Sequence, residues 1–101
     1  MIISNERIPG LAVGDIIRRK GKIPLSGYNG VHEKLRLLVL DLVCNSSGWY
    51  ILAKIIYIHP VMSDRTKLKV NTMYYLTHHE LNDPKEDYTM VSRGGIDESQ
   101  T

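Results

Sequence analysis

A basic cluster near the start of the chain holds the side chains best suited to binding an anion. Cationic residues adjoin a stretch with an aromatic ring and a histidine, and such cations can hold phosphates while the ring stacks on a base. The alternative is a solvated strand end whose aliphatic stems pack on the protein. The sequence predicts a nucleic-acid-binding site formed by Arg18, Arg19, Lys20, Lys22, Tyr28, His32 and Arg36.

The histidines and the cysteine give no recognisable catalytic or metal-binding pattern. His78 and His79 are adjacent, so on a helix they would point about 100° apart, and no histidine spacing resembles a known metal motif. Only His32, beside Glu33, and Arg36 lie near a loop that could form a cleft for acid–base chemistry. Cys44 ends an apolar stretch, where a small buried hydrophobic role is expected. We therefore predict no catalytic residue, metal or cofactor, and a binding module rather than an enzyme.

Residues 35–58 form the stretch around which these side chains must be placed. Apolar, β-branched and aromatic residues fill 35–44 and 49–58, with Asn-Ser-Ser-Gly between them, which predicts a hairpin of two long strands. Both faces of each strand are largely apolar, whereas a sheet with one face in water should alternate. The second face must then be covered by the N-terminal segment, the long loop or another chain. A homodimer or partner-protein interface is predicted at Leu38, Leu40, Leu42, Trp49, Tyr50 and Ile56.

Shorter elements are predicted on either side of this hairpin. Thr77 followed by Glu80 has the spacing of a helix capping box. Lys67 and Lys69 fall on the outer side of a predicted fourth strand, where lysine guards against edge-to-edge pairing. In chain order we predict an irregular lead-in at 1–13 with a turn at Pro9–Gly10, a strand at 14–21, a long loop at 22–34, the hairpin, a turn at 61–65, a strand at 67–76, a helical turn at 77–81, a short strand at 87–92 and a disordered tail at 93–101.

This order of elements resembles an SH3-like barrel, with one domain over residues 14–92. The segment GDIIR at 14–18 is similar to the opening of KOW and other SH3-like modules, and Gly27 and Gly30 have the spacing of the KOW G-x-x-G motif. The resemblance implies a mainly β fold, a five-stranded antiparallel SH3-like barrel with a long first loop and one short 3₁₀ turn.

A second resemblance is to the MazF/PemK toxins, which are also SH3-like and often begin their first strand with Gly-Asp-Ile. Their R-P-x-x-V-L-S strand is similar to RLLVLD at 36–41, which has the arginine and the Val-Leu pair but lacks the proline and the serine. This resemblance implies an alternative function, that of a degenerate MazF-like endoribonuclease.

Length and composition limit the remaining possibilities. A chain of 101 residues suits one domain, and a net charge of +2 permits nucleic-acid binding without requiring it. The single cysteine excludes an intrachain disulfide and fits a reducing compartment. With no basic-then-apolar leader and no long apolar run, we expect a soluble, cytoplasmic protein without membrane contact. The other alternative is a protein-interaction module, for example a phage- or plasmid-encoded inhibitor of a host protein.

Overall fold

The structure is a computed structural model in which residues 2–3, 8 and 10–94 are described. A small two-stranded sheet pairs β1 (Ile2–Ile3) with β2 (Leu11–Ala12). The main sheet contains β3 (Asp15–Gly21), β4 (His32–Asn45), β5 (Gly48–Ile58), β6 (Met73–Thr77) and β7 (Asp87–Arg93). The two short helices are α1 (Pro60–Thr66), which follows β5, and α2 (His78–Leu81), which follows β6.

The strands of the main sheet lie in the order β6-β5-β4-β3-β7, and every neighbouring pair is antiparallel. The mainly β fold class and the five-stranded antiparallel sheet are therefore confirmed. β6 and β7 form the two edges, and in the described part of the chain the sheet is not closed into a barrel.

Side chains on one face of the main sheet form the core. Alternation along β5 points Ile51, Ala53 and Ile55 to this face, where all three are fully buried. The lead-in contributes Ile8 and Leu11, so it helps to close the core side of the sheet. The other buried members of the cluster are Ile17, Leu35, Leu37, Val39, Leu42, Leu76, Leu81 and Tyr88.

A β-bulge at Leu40 changes which residues of β4 face the core. Val39 pairs with Ala53 and Asp41 pairs with Leu52, so Leu40 has no partner position of its own. An extra residue reverses the alternation that follows it, because successive side chains in a strand point to opposite faces. Leu42 is consequently in the core at 5% exposure, while Asp41 is exposed. The prediction that Leu42 shares an outer interface with Leu40 is wrong for this reason.

A second bulge in the same hairpin lies at Ile56. Arg36 pairs with Tyr57 and Leu37 pairs with Ile55, which leaves Ile56 between them. Strict alternation would have placed Tyr57 on the face of Ile55, yet Tyr57 is exposed and lies opposite Arg36. The two bulges thus remove one charge and one tyrosine from the core face of the hairpin.

The segment after β5 is the largest correction to the predicted elements. Residues 61–65 were predicted as a turn, but α1 occupies this position. Pro60 is its first residue, where proline is well tolerated, and the Nδ1 atom of His59 caps it by accepting a hydrogen bond from the Val61 amide. The helix ends at Lys67, which has a left-handed backbone with φ 64°.

The predicted strand at 67–76 is shorter than expected because β6 begins only at Met73. Lys67 and Lys69 therefore do not lie on a strand. The helical turn at 77–81 is confirmed, since the Thr77 hydroxyl caps α2 by accepting a hydrogen bond from the Glu80 amide at 3.1 Å.

The remaining predictions concern the two ends of the chain and Cys44. β7 continues to Arg93, whose Nη1 donates to the Gly10 carbonyl at 2.9 Å, so the predicted tail does not start at 93. Residues 95–101, the rest of that tail, and Pro9 of the predicted turn lie outside the described residues. The lead-in is not wholly irregular, because its two short strands pair. Cys44 is exposed, contrary to the prediction that it is buried.

Candidate nucleic-acid interface

The structure divides the predicted basic cluster between the two faces of β3. Arg19 shares the face of the buried Ile17, whereas Arg18 and Lys20 alternate to the opposite side. In register, Arg18 lies between Arg36 on β4 and Thr89 on β7. Lys22 lies beyond the strand, exposed in the loop at 22–31. The four cations consequently do not form one patch.

Arg19 is part of an internal polar cluster, which we call the Arg19 network. Its side chain is 12% exposed, with guanidinium nitrogens 3.5 Å from a Glu86 oxygen and 4.0 Å from a Glu80 oxygen. The hydroxyls of Tyr74 and Tyr88 donate to the same Glu80 oxygen at 2.5 and 3.2 Å. Arg19 is therefore occupied in holding β3, α2 and the two edge strands together.

The electrostatics of the Arg19 network favour an ionised arginine and neutral tyrosines. Burial, with the hydrogen bond to Glu80, raises the pKa of Tyr74 to about 12. Burial also raises the pKa of Tyr88, and the neighbouring Tyr74 and Glu80 add to the effect. For Arg19, burial acts to lower the pKa, but Tyr88 and Glu86 outweigh it, so the pKa is raised. The cation is stable here but unavailable to a phosphate outside.

The side of the main sheet opposite the core presents cations and tyrosines together, and we call it the outer face. Arg36 lies opposite Tyr57, and Lys54 lies between Leu38 and Met73. Cross-strand neighbours have Cβ atoms about 4.5–5.5 Å apart, so these side chains form one continuous surface. Its members include Arg18, Lys20, Arg36, Leu38, Asp41, Tyr50, Leu52, Lys54, Tyr57, Met73, Tyr75 and Thr89.

Two of the outer-face cations are held in position by hydrogen bonds. The Arg36 guanidinium donates to both Glu33 oxygens, at 2.7 and 3.0 Å, and this pairing raises the pKa of Arg36. Arg18 Nε donates to the Thr89 hydroxyl at 3.3 Å. Both side chains thus remain charged and oriented, although Glu33 neutralises part of the field of Arg36. Lys20 has acidic positions on either side, since its cross-strand partners are Glu33 and Asp87.

Exposed aromatic rings accompany these cations. Tyr75 is 63% exposed and its ring centroid is 5.9 Å from that of Tyr50. Tyr57 is 37% exposed beside Arg36. Sequence reasoning did not assign Lys54, Tyr57 or Tyr75 to the site. The signal that could have found them is the pairing register, which brings three distant segments onto one surface.

The rings of Tyr28 and His32 lie together, and a third ring joins them. The centroids of Tyr28 and His32 are 5.7 Å apart, and His59 lies 5.4 and 5.9 Å from them in edge-to-face geometry. His32 Nε2 donates to the Asn29 carbonyl at 2.8 Å. His59 Nδ1 accepts the hydrogen bond that caps α1, which leaves Nε2 as the ring nitrogen that can donate. The three rings anchor the loop against the start of α1.

The predicted interface residues are distributed over several environments. Leu38, Leu40 and Ile56 are half-buried on β4 and β5, and Leu42 is in the core. Trp49 and Tyr50 line a cavity of about 250 Å³ at the β4–β5 turn. Within the described residues there is no group of three or more histidine, cysteine or acidic side chains placed to hold a metal ion. The same part of the chain contains no helix that could cross a membrane.

Comparisons with protein-family models, curated proteins and solved structures returned no significant match for the chain.

Proposed function

We propose that the chain is a small, non-enzymatic module that binds single-stranded nucleic acid across the outer face of its main sheet. The observation that carries the proposal is the placement of Arg18, Arg36 and Lys54 beside Tyr57 and Tyr75 on adjacent strands. Cations that follow a phosphate backbone, combined with rings on which bases stack, are the usual means of binding single strands.

The shape of the surface favours a single strand over a duplex. Strands in a sheet lie about 4.8 Å apart, so the outer face is a broad platform and not a protruding element that could enter a groove. Exposed rings such as Tyr75 can stack only on bases whose faces are accessible. Lys54 lies between the Arg18–Arg36 pair and the Tyr50–Tyr75 pair. Contacts to phosphates and contacts to bases can therefore alternate along the outer face.

We further propose that the fold is related to the SH3-like barrel. In the order of the main sheet, the last strand pairs with the first, and the first four follow each other as neighbours. A single helical turn, α2, separates the last two strands. Both features are those expected for that architecture, and they support the resemblance of the GDIIR segment to SH3-like modules.

The test of the binding proposal is fluorescence anisotropy with a labelled single-stranded oligonucleotide at several salt concentrations. Engagement of three outer-face cations should give a log–log salt slope near −2, at about −0.7 per phosphate contact. Replacing Arg18 and Lys54 by alanine should reduce the magnitude of that slope by about 1.4. The matched control is the double change Lys69→Ala and Lys85→Ala, which removes the same charge from exposed positions outside the sheet.

Tyr75→Ala tests the stacking part of the same proposal. Loss of one ring should weaken single-strand binding by about 1–3 kcal/mol while leaving the salt slope unchanged, because stacking releases no counterions. Binding to a duplex of the same sequence should change less. Absence of binding at low salt, or equal effects of the Arg18/Lys54 and Lys69/Lys85 pairs, would contradict the proposal.

The outer face also supports a second candidate function, association with protein. Leu38 and Leu52 are half-buried there, and Met73 is 53% exposed. Exposed apolar side chains grouped on one face are typical of protein interfaces. The proposed protein partner for the outer face is a second copy of the chain.

A further inference from the structure

A cavity lies at the β4–β5 turn, where α2 packs against the hairpin, and we call it the turn pocket. Three of its walls are aromatic: the Trp49 indole and the imidazoles of His78 and His79. The ring centroids of Trp49 and His78 are 5.7 Å apart, and those of His78 and His79 are 4.0 Å apart. The lining residues are Asn45, Ser47, Gly48, Trp49, Tyr50, Thr77, His78 and His79.

Local sequence explains why these rings meet. Gly48 has φ +134°, and a Cβ atom there would overlap His78 Cε1, so only glycine lets the imidazole rest against the turn. His78 Nδ1 donates to the Trp49 carbonyl at 3.1 Å, which fixes the orientation of the ring. Thr77 caps α2 and sets the direction in which both histidines leave β6. These local contacts therefore determine the shape of the pocket.

The lining is mostly apolar and aromatic, with few polar atoms, and it therefore suits a small planar ligand whose polar groups lie at its edge. Trp49 and His78 offer aromatic faces for stacking. Nδ1 of His78 is used in the hydrogen bond to the Trp49 carbonyl, so Nε2 is the ring nitrogen that can face a ligand. Asn45 uses only Oδ1 to accept from the Ser47 amide, which leaves its N–H groups as donors. Donors and acceptors beside an aromatic face match the edge and the plane of a nucleobase.

The volume of the turn pocket limits the size of its ligand. Pockets for drug-sized ligands and cofactors enclose about 300–1,000 Å³, and the turn pocket encloses about 250 Å³. It therefore has room for one ring system rather than a whole cofactor.

The position of the pocket connects it to the outer face. Tyr50 lines the pocket and also contacts Tyr75 of the outer face, with ring centroids 5.9 Å apart. A single nucleic-acid strand that follows β5 from Tyr57 past Lys54 would thus reach the pocket at the β4–β5 turn. We propose that the turn pocket binds a single unstacked nucleobase, stacked on the Trp49–His78 ring pair, at one end of the nucleic-acid path. This inference rests on the proposed function.

The experiment uses the indole N–H resonance of Trp49, the only tryptophan in the chain, as a reporter. The protein is titrated with the four ribonucleoside monophosphates and, separately, with ribose 5-phosphate, which lacks the base. The nucleotides should shift the resonance saturably and ribose 5-phosphate should not. An equal shift with ribose 5-phosphate would mean that the site recognises an anion, and would overturn the proposal.

Two pocket variants and one distant variant complete the design. His78→Ala should weaken nucleotide binding by about tenfold, as expected for a lost stacking partner. His79→Ala should weaken it by a smaller factor, and its exposed position makes it the safer change for folding. Lys69→Ala, at an exposed position outside the sheet, should leave the binding of both nucleotides and a short oligonucleotide unchanged. Nucleotide affinities unaffected by both histidine changes would contradict the proposal.

The outcomes separate the pocket from the proposed function. If oligonucleotides bind but nucleotides do not shift Trp49, and His78→Ala has no effect, the pocket proposal fails and the outer-face proposal stands. If nucleotides bind in the pocket but no oligonucleotide binds at low salt, the outer-face proposal fails and the pocket is a site for free nucleotides.

Discussion

Glu80 is the residue on which the inner polar contacts converge. One of its carboxylate oxygens accepts from the Tyr74 and Tyr88 hydroxyls and lies near Arg19. These partners come from β6, β7 and β3, so a single side chain of α2 connects both edges of the main sheet. Arg18 and Arg19 are neighbours in sequence, but Arg18 lies on the outer face and Arg19 lies in the internal network. The same substitution should therefore change the stability of the protein by different amounts at the two positions.

Arg19→Met should destabilise the protein by about 1–3 kcal/mol, because Glu80 and Glu86 lose the cation that faces them while partly removed from water. The methionine retains most of the packing of the aliphatic stem. Urea unfolding followed by circular dichroism measures the change.

Arg18→Met is the matched control and should cost less than about 0.5 kcal/mol, as surface substitutions usually do. For oligonucleotide binding the order should reverse, with Arg18→Met weakening it and Arg19→Met leaving it nearly unchanged. Equal stability losses in the two variants would show that Arg19 does not occupy a distinct internal position.

Alkaline pH should weaken the fold through the tyrosines of the Arg19 network. Tyr74 has a pKa of about 12 in the folded protein, above the value near 10 expected in the unfolded chain. The unfolded chain therefore releases this proton first, and stability falls as pH rises from about 10 toward 12. Tyr88 shifts in the same direction.

Between pH 10 and 11 the stability lost should be on the order of 1–2 kcal/mol, since each shifted tyrosine contributes at most about 1.4 kcal/mol per pH unit. Unfolding in urea at each pH measures it. Tyr88→Phe should lower the slope of stability against pH, and an unchanged slope would contradict the assignment.

At the scale of elements, the β4–β5 hairpin depends on its two bulges. Apolar residues on both sides of each strand made the hairpin predictable, but strict alternation would place Asp41 on the face of Val39 and Tyr57 on the face of Ile55. The bulges at Leu40 and Ile56 resolve this conflict by changing the pairing. Such an insertion into the pairing is decided by packing across the sheet, so it leaves no local sequence signal.

Leu42→Ala should destabilise the fold by about 2–5 kcal/mol, as expected for a buried leucine. Leu40→Ala, at the half-buried bulge position, should cost clearly less. Alternation without the bulge would place both leucines on one face and predict similar costs. Thermal or urea unfolding of the two variants, measured side by side, distinguishes these possibilities.

Local sequence patterns were sufficient to predict some elements and contacts, but not those that depend on strand pairing. α2 was predicted correctly because Thr77 and Glu80 form a local capping pattern, whereas α1 was missed because Pro60 can either end a strand or begin a helix. Tyr28 and His32 were predicted together because they are close in sequence. His59 and the outer-face tyrosines could not be, because only strand pairing brings them to the site.

At the scale of the whole molecule, the outer face remains without a covering element in the described part of the chain. Its apolar members lie between its cations, so the same surface suits a nucleic acid and a second copy of the chain. The two uses should compete, because neither can occur while the other occupies Tyr75 and Met73.

The purified chain should form dimers at micromolar concentration, as measured by sedimentation velocity. Met73→Lys should shift the population to monomer, because a charge is costly to bury in an interface. Val31→Lys is the control, since Val31 is also exposed but lies in the loop before β4. Addition of a single-stranded oligonucleotide should also produce monomer. A monomer at about 100 µM would exclude the outer face as a dimer interface.

The pairing of Asp15 with Arg93 determines how the molecule would respond to mechanical load. Near this pair the backbones of Gly14 and Gly94 touch so closely that a side chain would not fit, and Arg93 also donates to Gly10. The chain therefore enters β3 and leaves β7 at the same end of one strand pair. Tension applied through the flanking segments would peel β7 from β3 one hydrogen bond at a time, instead of shearing all of them together. Detachment would begin at the Arg93 contacts and leave the β4–β5 hairpin intact, so this edge should yield at low force.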